Sequence, residues 1–197
     1  MRILVLYAHP LETSFHAALH ARITAVLREQ GHDVDDCDLY AEGFDPVLSR
    51  QERLVYQDTS CNAAGVAGYV QRLQHAEALV LCFPVWSFGL PAILKGFFDR
   101  VLLPGVAFDI SDPAHVRPAL TNLRRIIAVA TYGQPRWMAW WMGDPPRKLA
   151  TRYLRSLCGR QVRISYHAHY HMNVATRDVL ARFMDKVVEV LRQLPMP

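Results

Sequence analysis

The repeated change between short apolar runs and segments of helical periodicity constrains the fold of this chain more than any other feature. Residues 2–8 form the nearly continuous apolar run RILVLYA. Such a run is typical of a parallel strand covered on both faces. After Ser14 the apolar residues recur at helical spacing, at Phe15, Leu19, Ile23, Val26 and Leu27. Gly31 then ends the predicted helix in a position that favours a left-handed residue.

The same alternation continues along the chain. Further strands are predicted at about 33–39, 78–83, 125–130 and 161–166. Helices are predicted at 49–58, from Pro91 onward, and over a last segment with an apolar face between Leu180 and Leu191. Five strand–helix alternations with strands apolar on both faces predict an α/β fold, in which helices cover both faces of a parallel sheet. With 197 residues, we expect one domain over 1–197.

Composition excludes several classes of protein. The hydrophobic fraction is 51% and the charged fraction 20%, as in globular chains. No apolar run is long enough for a bilayer span, and we expect no signal peptide. The four cysteines form no CxxC pair or zinc spacing, so we expect reduced thiols, a cytoplasmic location and no metal site. The net charge of +4 comes from dispersed basic residues, and we expect no nucleic-acid partner.

In an open α/β sheet, ligands bind at the carboxyl ends of the strands, so the loops there are the candidate sites. The loop after the first strand has no GxGxxG, and a Rossmann dinucleotide turn is therefore not expected. It places the hydroxyls of Thr13 and Ser14 at a helix N-terminus, with His9 and His16 alongside. These groups predict a phosphate site. The alternative is that Thr13 or Ser14 is simply the N-cap.

The loops after the third and fourth predicted strands carry different side chains. The segment PVWSFG over 84–89 places Trp86 and Phe88 at the open end of the sheet, where a flat conjugated ligand would give them a partner. Thr131, Tyr132 and Gly133 offer backbone N–H groups to a ring carbonyl. Phosphate site, aromatic clamp and carbonyl donors together predict a flavin mononucleotide moiety.

Four segments resemble, in order and spacing, the NAD(P)H:quinone oxidoreductases of the flavodoxin-like fold. They are HPLETSFHAAL, LYAEGFDPVLSRQE, FPVWSFGLPAILKGFFDRVL and PGVAF, and the similarity covers about residues 1–108 well. The resemblance implies a three-layer sandwich with strand order 2-1-3-4-5. It also implies a flavin-bound homodimer that takes hydride from NAD(P)H and passes it to a quinone or a similar small electron acceptor.

The resemblance also assigns roles to individual residues. The phosphate end of the flavin would be held by His9, Thr13, Ser14, Phe15 and His16. The isoalloxazine would be lined by Pro84, Val85, Trp86, Ser87 and Phe88, and its pyrimidine side by Thr131, Tyr132 and Gly133. No catalytic side chain is predicted, because the flavin itself carries the hydride chemistry. FMN is favoured over FAD, and the choice between NADH and NADPH stays open.

The sequence departs from the family after the fourth predicted strand. The mammalian-type quinone reductases carry TTGG there, followed by a Tyr and a His that polarise the quinone, whereas this chain reads TYGQPRWMAWWMGDPP. Trp137 stands near the expected Tyr. Trp137, Trp140 and Trp141 either wall the substrate pocket or form an apolar patch against a second subunit. The acceptor is therefore open among quinones, azo dyes, nitro compounds and electrophilic metabolites.

The alternating His167, His169 and His171 follow the fifth predicted strand. Their spacing permits a metal site, but with no acidic or Cys partner nearby we interpret them as polar residues at the pocket mouth, with His169 in the substrate pocket. The family also contains flavin-binding ancillary subunits of glutathione-gated potassium efflux systems. A regulatory subunit with a membrane-protein partner is therefore the alternative function.

Overall fold

The computed structural model describes residues 1–112 and 115–195. The domain predicted over 1–197 includes residues 113–114 and 196–197, which lie outside the described part. The strands are β1 (Arg2–Tyr7), β2 (Asp33–Asp38), β3 (Ala78–Val85), β4 (Phe108–Asp109), β5 (Arg117–Pro118), β6 (Arg125–Tyr132) and β7 (Arg163–His169). The helices are α1 (Phe15–Glu29), α2 (Arg50–Leu54), α3 (Ala67–His75), α4 (Ala92–Val101), α5 (Arg136–Trp141), α6 (Pro145–Lys148), α7 (Leu154–Cys158) and α8 (Arg177–Arg192). A π-helical stretch, Leu149–Tyr153, joins α6 to α7, and Ala64–Val66 and Met172–Val174 are 3₁₀ turns.

Five of the strands form one sheet in the order β2-β1-β3-β6-β7, and every neighbouring pair is parallel. The predicted order 2-1-3-4-5 is confirmed, because β4 and β5 make a separate antiparallel pair. The chain adds β2 on one side of β1 and then continues with β3 on the other side. The carboxyl ends of β1 and β3 therefore flank the switch point of the sheet, where open α/β folds bind their ligands.

Side-chain alternation along the strands divides the core into two layers. Ile3 and Val5 of β1 pack with apolar residues of α1 and α8 on one face of the sheet. Leu4 and Leu6 point to the opposite face and pack with residues of α3, α4 and α7. All four side chains are at most 1% exposed. Burial on both faces explains why β1 reads as an uninterrupted apolar run.

Several predicted element boundaries need adjustment. The fifth strand was expected at 161–166, but parallel pairing with β6 runs from Arg163 to His169. His167 and His169 therefore lie within β7, and the expectation that they follow the strand is wrong. The helix expected to begin at Pro91 begins one residue later, with Pro91 at the N-cap. Near 49–58 the structure has the shorter α2, which begins at a capping box between Ser49 and Glu52.

Candidate functional site

The N-terminus of α1 lies at the carboxyl end of β1. Ser14 is the N-cap, and its Oγ accepts a hydrogen bond of 3.0 Å from the Ala17 N–H. The preceding loop is fixed by the Leu11 N–H, which donates to Nδ1 of His9 at 3.1 Å. Among the described residues, the N–H groups of Phe15 and His16 have no acceptor. The helix start therefore offers two backbone donors to an anion, in addition to its dipole.

The imidazole of His16 is buried, with 3% of the residue exposed, and it points toward β3 and β6. Its Nε2 lies 2.8 Å from Oγ1 of Thr131, and its Nδ1 lies 3.5 Å from Sγ of Cys82. Burial, with a smaller contribution from the neighbouring His9, lowers the pKa of His16 to about 3. His16 is therefore neutral at physiological pH and joins the loop after β1 to the end of β6. The ring of His16 is thus used inside the protein, and its backbone N–H is the group that remains available at the start of α1.

The loop after β3 is a tight turn of unusual composition. The Trp86 N–H donates to the Gly89 carbonyl at 3.2 Å, and the Gly89 N–H donates back to the Trp86 carbonyl at 2.8 Å. The two central residues, Ser87 and Phe88, have φ of 50° and 56°. Positive φ at both central positions is the pattern of a type I′ turn, which normally takes Asn-Gly. Two non-glycine residues in the left-handed region store strain, and such strain clusters at functional sites.

This turn and the end of β6 border an open cavity of about 450 Å³. It is lined by Val85, Trp86, Ser87, Phe88, Tyr132, Gly133 and Gln134. The ring of Trp86 is 42% exposed and lies edge-on to the ring of His9, with 5.7 Å between the centroids. The loops after β1, β3 and β6 therefore meet at one place, and we call this space the ring cavity.

A partly buried polar cluster supports the β6 side of the ring cavity. The Tyr132 hydroxyl donates to Oδ1 of Asp144 at 2.6 Å. The Tyr166 hydroxyl lies 2.6 Å from the Tyr132 hydroxyl. The ring of Tyr132 also stacks on that of Tyr170, with centroids 4.6 Å apart. Burial raises the pKa of both Tyr132 and Tyr166, so both phenols keep their protons. Sequence analysis missed Asp144, Tyr166 and Tyr170, because contacts between residues so far apart leave no local signal.

The remaining predicted site residues occupy several positions. Thr13 is exposed in the loop before α1, and Pro84 lies inside β3 opposite Thr131. The rings of Phe15 and His169 both contact Phe183 of α8, with centroids 6.4 Å and 5.4 Å away. These two side chains therefore pack in the α1–α8 layer rather than in the wall of the ring cavity.

The tryptophans of α5 project from the surface. Trp137 is 65% exposed, Trp140 78% and Trp141 73%. None of the three lines the ring cavity. Instead Trp140 borders a neighbouring cavity together with residues of α6. Neither Trp137 nor Trp140, which the sequence predicts for the substrate pocket, therefore lies in the wall of the ring cavity.

The described residues contain neither a candidate metal centre nor a helix suited to a membrane. Over 1–112 and 115–195, no group of three or more His, Cys, Asp or Glu side chains has the geometry to hold a metal ion. Within the same ranges, no helix combines the length and the apolar character needed to cross a bilayer.

Comparison with known proteins gives related sequences and structures. The NAD(P)H dehydrogenase [quinone] 1 of Rattus norvegicus is 30% identical in an alignment 149 residues long, which covers 67% of this chain and 54% of the rat protein. The chain thus spans about half the length of the curated relatives it matches. The structure of Smu.1420 from Streptococcus mutans matches with a TM-score of 0.87 and 28% identity, over 98% of this chain and 100% of the other.

A third similarity shows the fold alone, because its sequence identity is low. An FMN-dependent NADH-azoreductase from Bacillus anthracis, solved in complex with FMN, has a TM-score of 0.78 and 15% identity. The match covers 98% of this chain and 99% of the azoreductase. The sequence profile of the flavodoxin-like fold family matches residues 1–193, nearly the whole chain. In agreement with its sequence motifs and with its five-stranded parallel sheet, the protein therefore belongs to the flavodoxin-like fold family.

Proposed function

We propose that this protein binds a flavin and uses it to pass hydride from NAD(P)H to a quinone or a similar small electrophile. One observation carries the proposal: the loops after β1, β3 and β6 converge on a helix start with free N–H donors and on a ring cavity bounded by Trp86. The name of the rat relative, an NAD(P)H dehydrogenase [quinone], supports the same reaction class.

The residues present fit a flavin in three respects. The free N–H groups of Phe15 and His16, with the Thr13 hydroxyl beside them, would hold the phosphate. The turn at Trp86 would form one wall for the planar ring system, since an exposed indole at a cavity edge is a suitable partner for a flat ring. The backbone of Gly133 would face the pyrimidine edge of the ring. A Cβ added at this position would be crowded, because it would lie 3.3 Å from Oδ1 of Asn173.

When bound, a flavin supplies the two-electron hydride chemistry. The protein's own residues would position the ring. The hydrogen bond between His16 and Thr131 holds the loop after β1, which we propose as the phosphate loop, against β6. The bond between Tyr132 and Asp144 holds the other side of β6 against the helices that follow. Because His16 is neutral and Tyr132 keeps its proton, neither side chain changes charge near pH 7.

We propose FMN as the flavin. The predicted contacts involve one phosphate and the ring system, which FMN and FAD share, and the azoreductase of the same fold was solved with FMN. We also propose a homodimer, because Trp137 and Trp141, which are 65% and 73% exposed, are large apolar side chains of the kind that a second subunit covers. A cytoplasmic location, the absence of a nucleic-acid partner and the ancillary-subunit alternative stay predictions.

The purified protein tests the central claim directly. We expect it to be yellow, with the absorbance bands of an oxidised flavin, and to release FMN on denaturation. NADPH oxidation is then followed with a small panel of quinones, azo dyes and nitro compounds. A colourless protein that takes up neither FMN nor FAD would refute the proposal.

Replacement of Trp86 tests the site itself. We expect Trp86→Ala to raise the dissociation constant for FMN roughly tenfold, because about 1.4 kcal/mol of ring contact is lost. Tyr153→Ala is the matched control, since Tyr153 is 40% exposed, close to the 42% of Trp86, and does not line the ring cavity. Equal FMN affinity in the two variants, measured by fluorescence titration, would remove Trp86 from the site.

A further inference from the structure

A second cavity, of about 370 Å³, lies beside α5 and α6. Four cationic side chains and two aromatic rings border it: Arg136, Arg147, Lys148, Arg152, Trp140 and Tyr170. We call it the basic cavity. Neither the fold nor the flavin contacts proposed above require this concentration of positive charge.

The cations of the basic cavity outnumber its anions, since four cationic side chains and one carboxylate line it. Within residues 1–112 and 115–195, none of them takes part in a salt bridge. The carboxylate in the lining, that of Asp144, already accepts a hydrogen bond from Tyr132. Lys148 and Arg152 also stand four residues apart on one helical run, a placement at which like charges destabilise a helix. An anionic ligand would offset this repulsion.

The wall of the basic cavity is conformationally strained. Gly143 has φ of 81°, and Asp144, which is not glycine, has φ of 46°. The left-handed pair turns the chain sharply between α5 and α6, and a Cβ at Gly143 would lie 3.4 Å from Nζ of Lys148. This turn therefore brings the ammonium group close to the backbone of the cavity wall. Strain of this kind is retained where the surrounding structure uses it.

The aromatic rings add a second kind of contact. Trp140 presents its indole at the surface of α5 beside the cations. An indole next to guanidinium groups is suited to a ligand that combines a flat base with phosphate groups, because the base stacks while the phosphates pair with the cations. A simple inorganic anion would leave the indole without a role.

The basic cavity and the ring cavity are adjacent. Tyr132 lines the ring cavity and Tyr170 lines the basic cavity, and their rings stack at 4.6 Å. The chain also runs directly from one to the other, since Gln134 lines the first and Arg136 the second. A ligand with a ring at one end and a phosphorylated base at the other would span both cavities.

We propose that the basic cavity binds the phosphorylated adenosine end of the reduced dinucleotide, and that its cations recognise the 2′-phosphate and so favour NADPH over NADH. This inference rests on the proposed function for its role in turnover, but the binding of the adenosine end does not require a flavin. The extra phosphate carries a charge of about −1.5 to −2, which four cations outside any salt bridge of the described residues are well suited to receive.

Calorimetry tests the binding without any turnover. Adenosine 2′,5′-bisphosphate is titrated into the wild-type protein, into the double variant Lys148→Gln/Arg152→Gln, and into the control Arg160→Gln/Arg163→Gln. The control removes the same charge from exposed positions outside the basic cavity. We expect the bisphosphate to bind Lys148→Gln/Arg152→Gln at least tenfold more weakly than the wild type. Its affinity for the control should differ from that of the wild type by less than twofold. Equal weakening in both variants would overturn the proposal, because it would show an effect of net charge alone.

Two further ligands fix the chemical class. Adenosine 5′-monophosphate should bind at least tenfold more weakly than the bisphosphate, and inorganic pyrophosphate should bind more weakly still. Pyrophosphate binding as tight as that of the bisphosphate would refute the recognition of adenosine. The mutation Trp140→Ala should weaken the bisphosphate and leave pyrophosphate unchanged, which separates stacking from charge.

Steady-state kinetics then connects the cavity to turnover. We expect the ratio of kcat/KM for NADPH to that for NADH to fall at least tenfold in Lys148→Gln/Arg152→Gln and to stay constant in the control. If the bisphosphate binds as expected but the protein neither holds flavin nor oxidises NADPH, the proposed function fails and the adenosine site stands. If flavin and activity are present but the ratio does not change, the cavity proposal fails alone.

Discussion

The buried His16 makes a prediction about stability that can be worked out from its environment. In the folded protein its imidazole is desolvated and its pKa is about 3, whereas an exposed histidine has a pKa of 6.5. Between these two values the unfolded chain binds a proton that the folded chain does not. The stabilising contribution of the neutral His16 is therefore complete above pH 6.5 and is lost as the pH falls toward 3.

The size of the effect follows from the two pKa values. Between pH 7 and pH 5, linkage predicts that this one side chain lowers the free energy of unfolding by about 2 kcal/mol, since His16 stays neutral in the folded state while the unfolded chain becomes protonated. Substitution by Gln removes this titration. A glutamine also keeps an amide group that can reach Oγ1 of Thr131, so His16→Gln is the least disruptive replacement.

The assay is urea unfolding at pH 5 and pH 7, followed by circular dichroism on protein freed of cofactor. The wild type should lose about 2 kcal/mol more than His16→Gln between the two pH values. Thr131→Val is the control: it breaks the hydrogen bond but leaves the imidazole buried, so it should lower stability by about 1 kcal/mol at both pH values and keep the pH dependence. A pH dependence in His16→Gln equal to that of the wild type would refute the assignment of this titration to His16.

Two further predictions concern glycine and left-handed backbone. Gly96→Ala should destabilise the protein by roughly 3 kcal/mol in urea unfolding, because its Cβ would meet the backbone of Pro46 at 2.3–2.4 Å; Gly68→Ala, with no atom within 4 Å, should cost nothing. Ser87→Gly should raise the free energy of unfolding by about 1 kcal/mol by relieving its positive φ, and a loss of stability would contradict the strain argument.

Much of the fold was predictable because its signals are local. The apolar run of β1 is confirmed as a strand buried on both faces, and Gly31 ends the region of α1 with φ of 79°. Ser14 is the N-cap of α1, which was the alternative to a phosphate-binding role for its hydroxyl. In each case the side chain and the backbone conformation it determines lie within a few residues of one another, so the sequence pattern alone carries the information.

The turn at Ser87 and Phe88 could not be predicted in the same way. A type I′ turn is recognised in a sequence by Asn-Gly or a similar pair, and Ser-Phe carries no such signal. The hydrogen bonds that close the turn, between Trp86 and Gly89, offset the local preference of the two central residues. The hydrogen bond between Tyr132 and Asp144 and the basic cavity likewise depend on helices that meet only in the folded chain.

The end of β6 determines how the candidate site is assembled. Thr131 and Tyr132 are consecutive, so their side chains point to opposite faces of the sheet. The Thr131 side chain forms a hydrogen bond with His16 of α1 on one face. The Tyr132 side chain forms one with Asp144, between α5 and α6, on the other face. Two adjacent residues thus join the proposed phosphate loop to the proposed dinucleotide cavity. A substitution at this strand end should therefore alter flavin binding and reductant selectivity together, whereas replacement of Arg136, which lines the basic cavity but not the ring cavity, should alter selectivity alone.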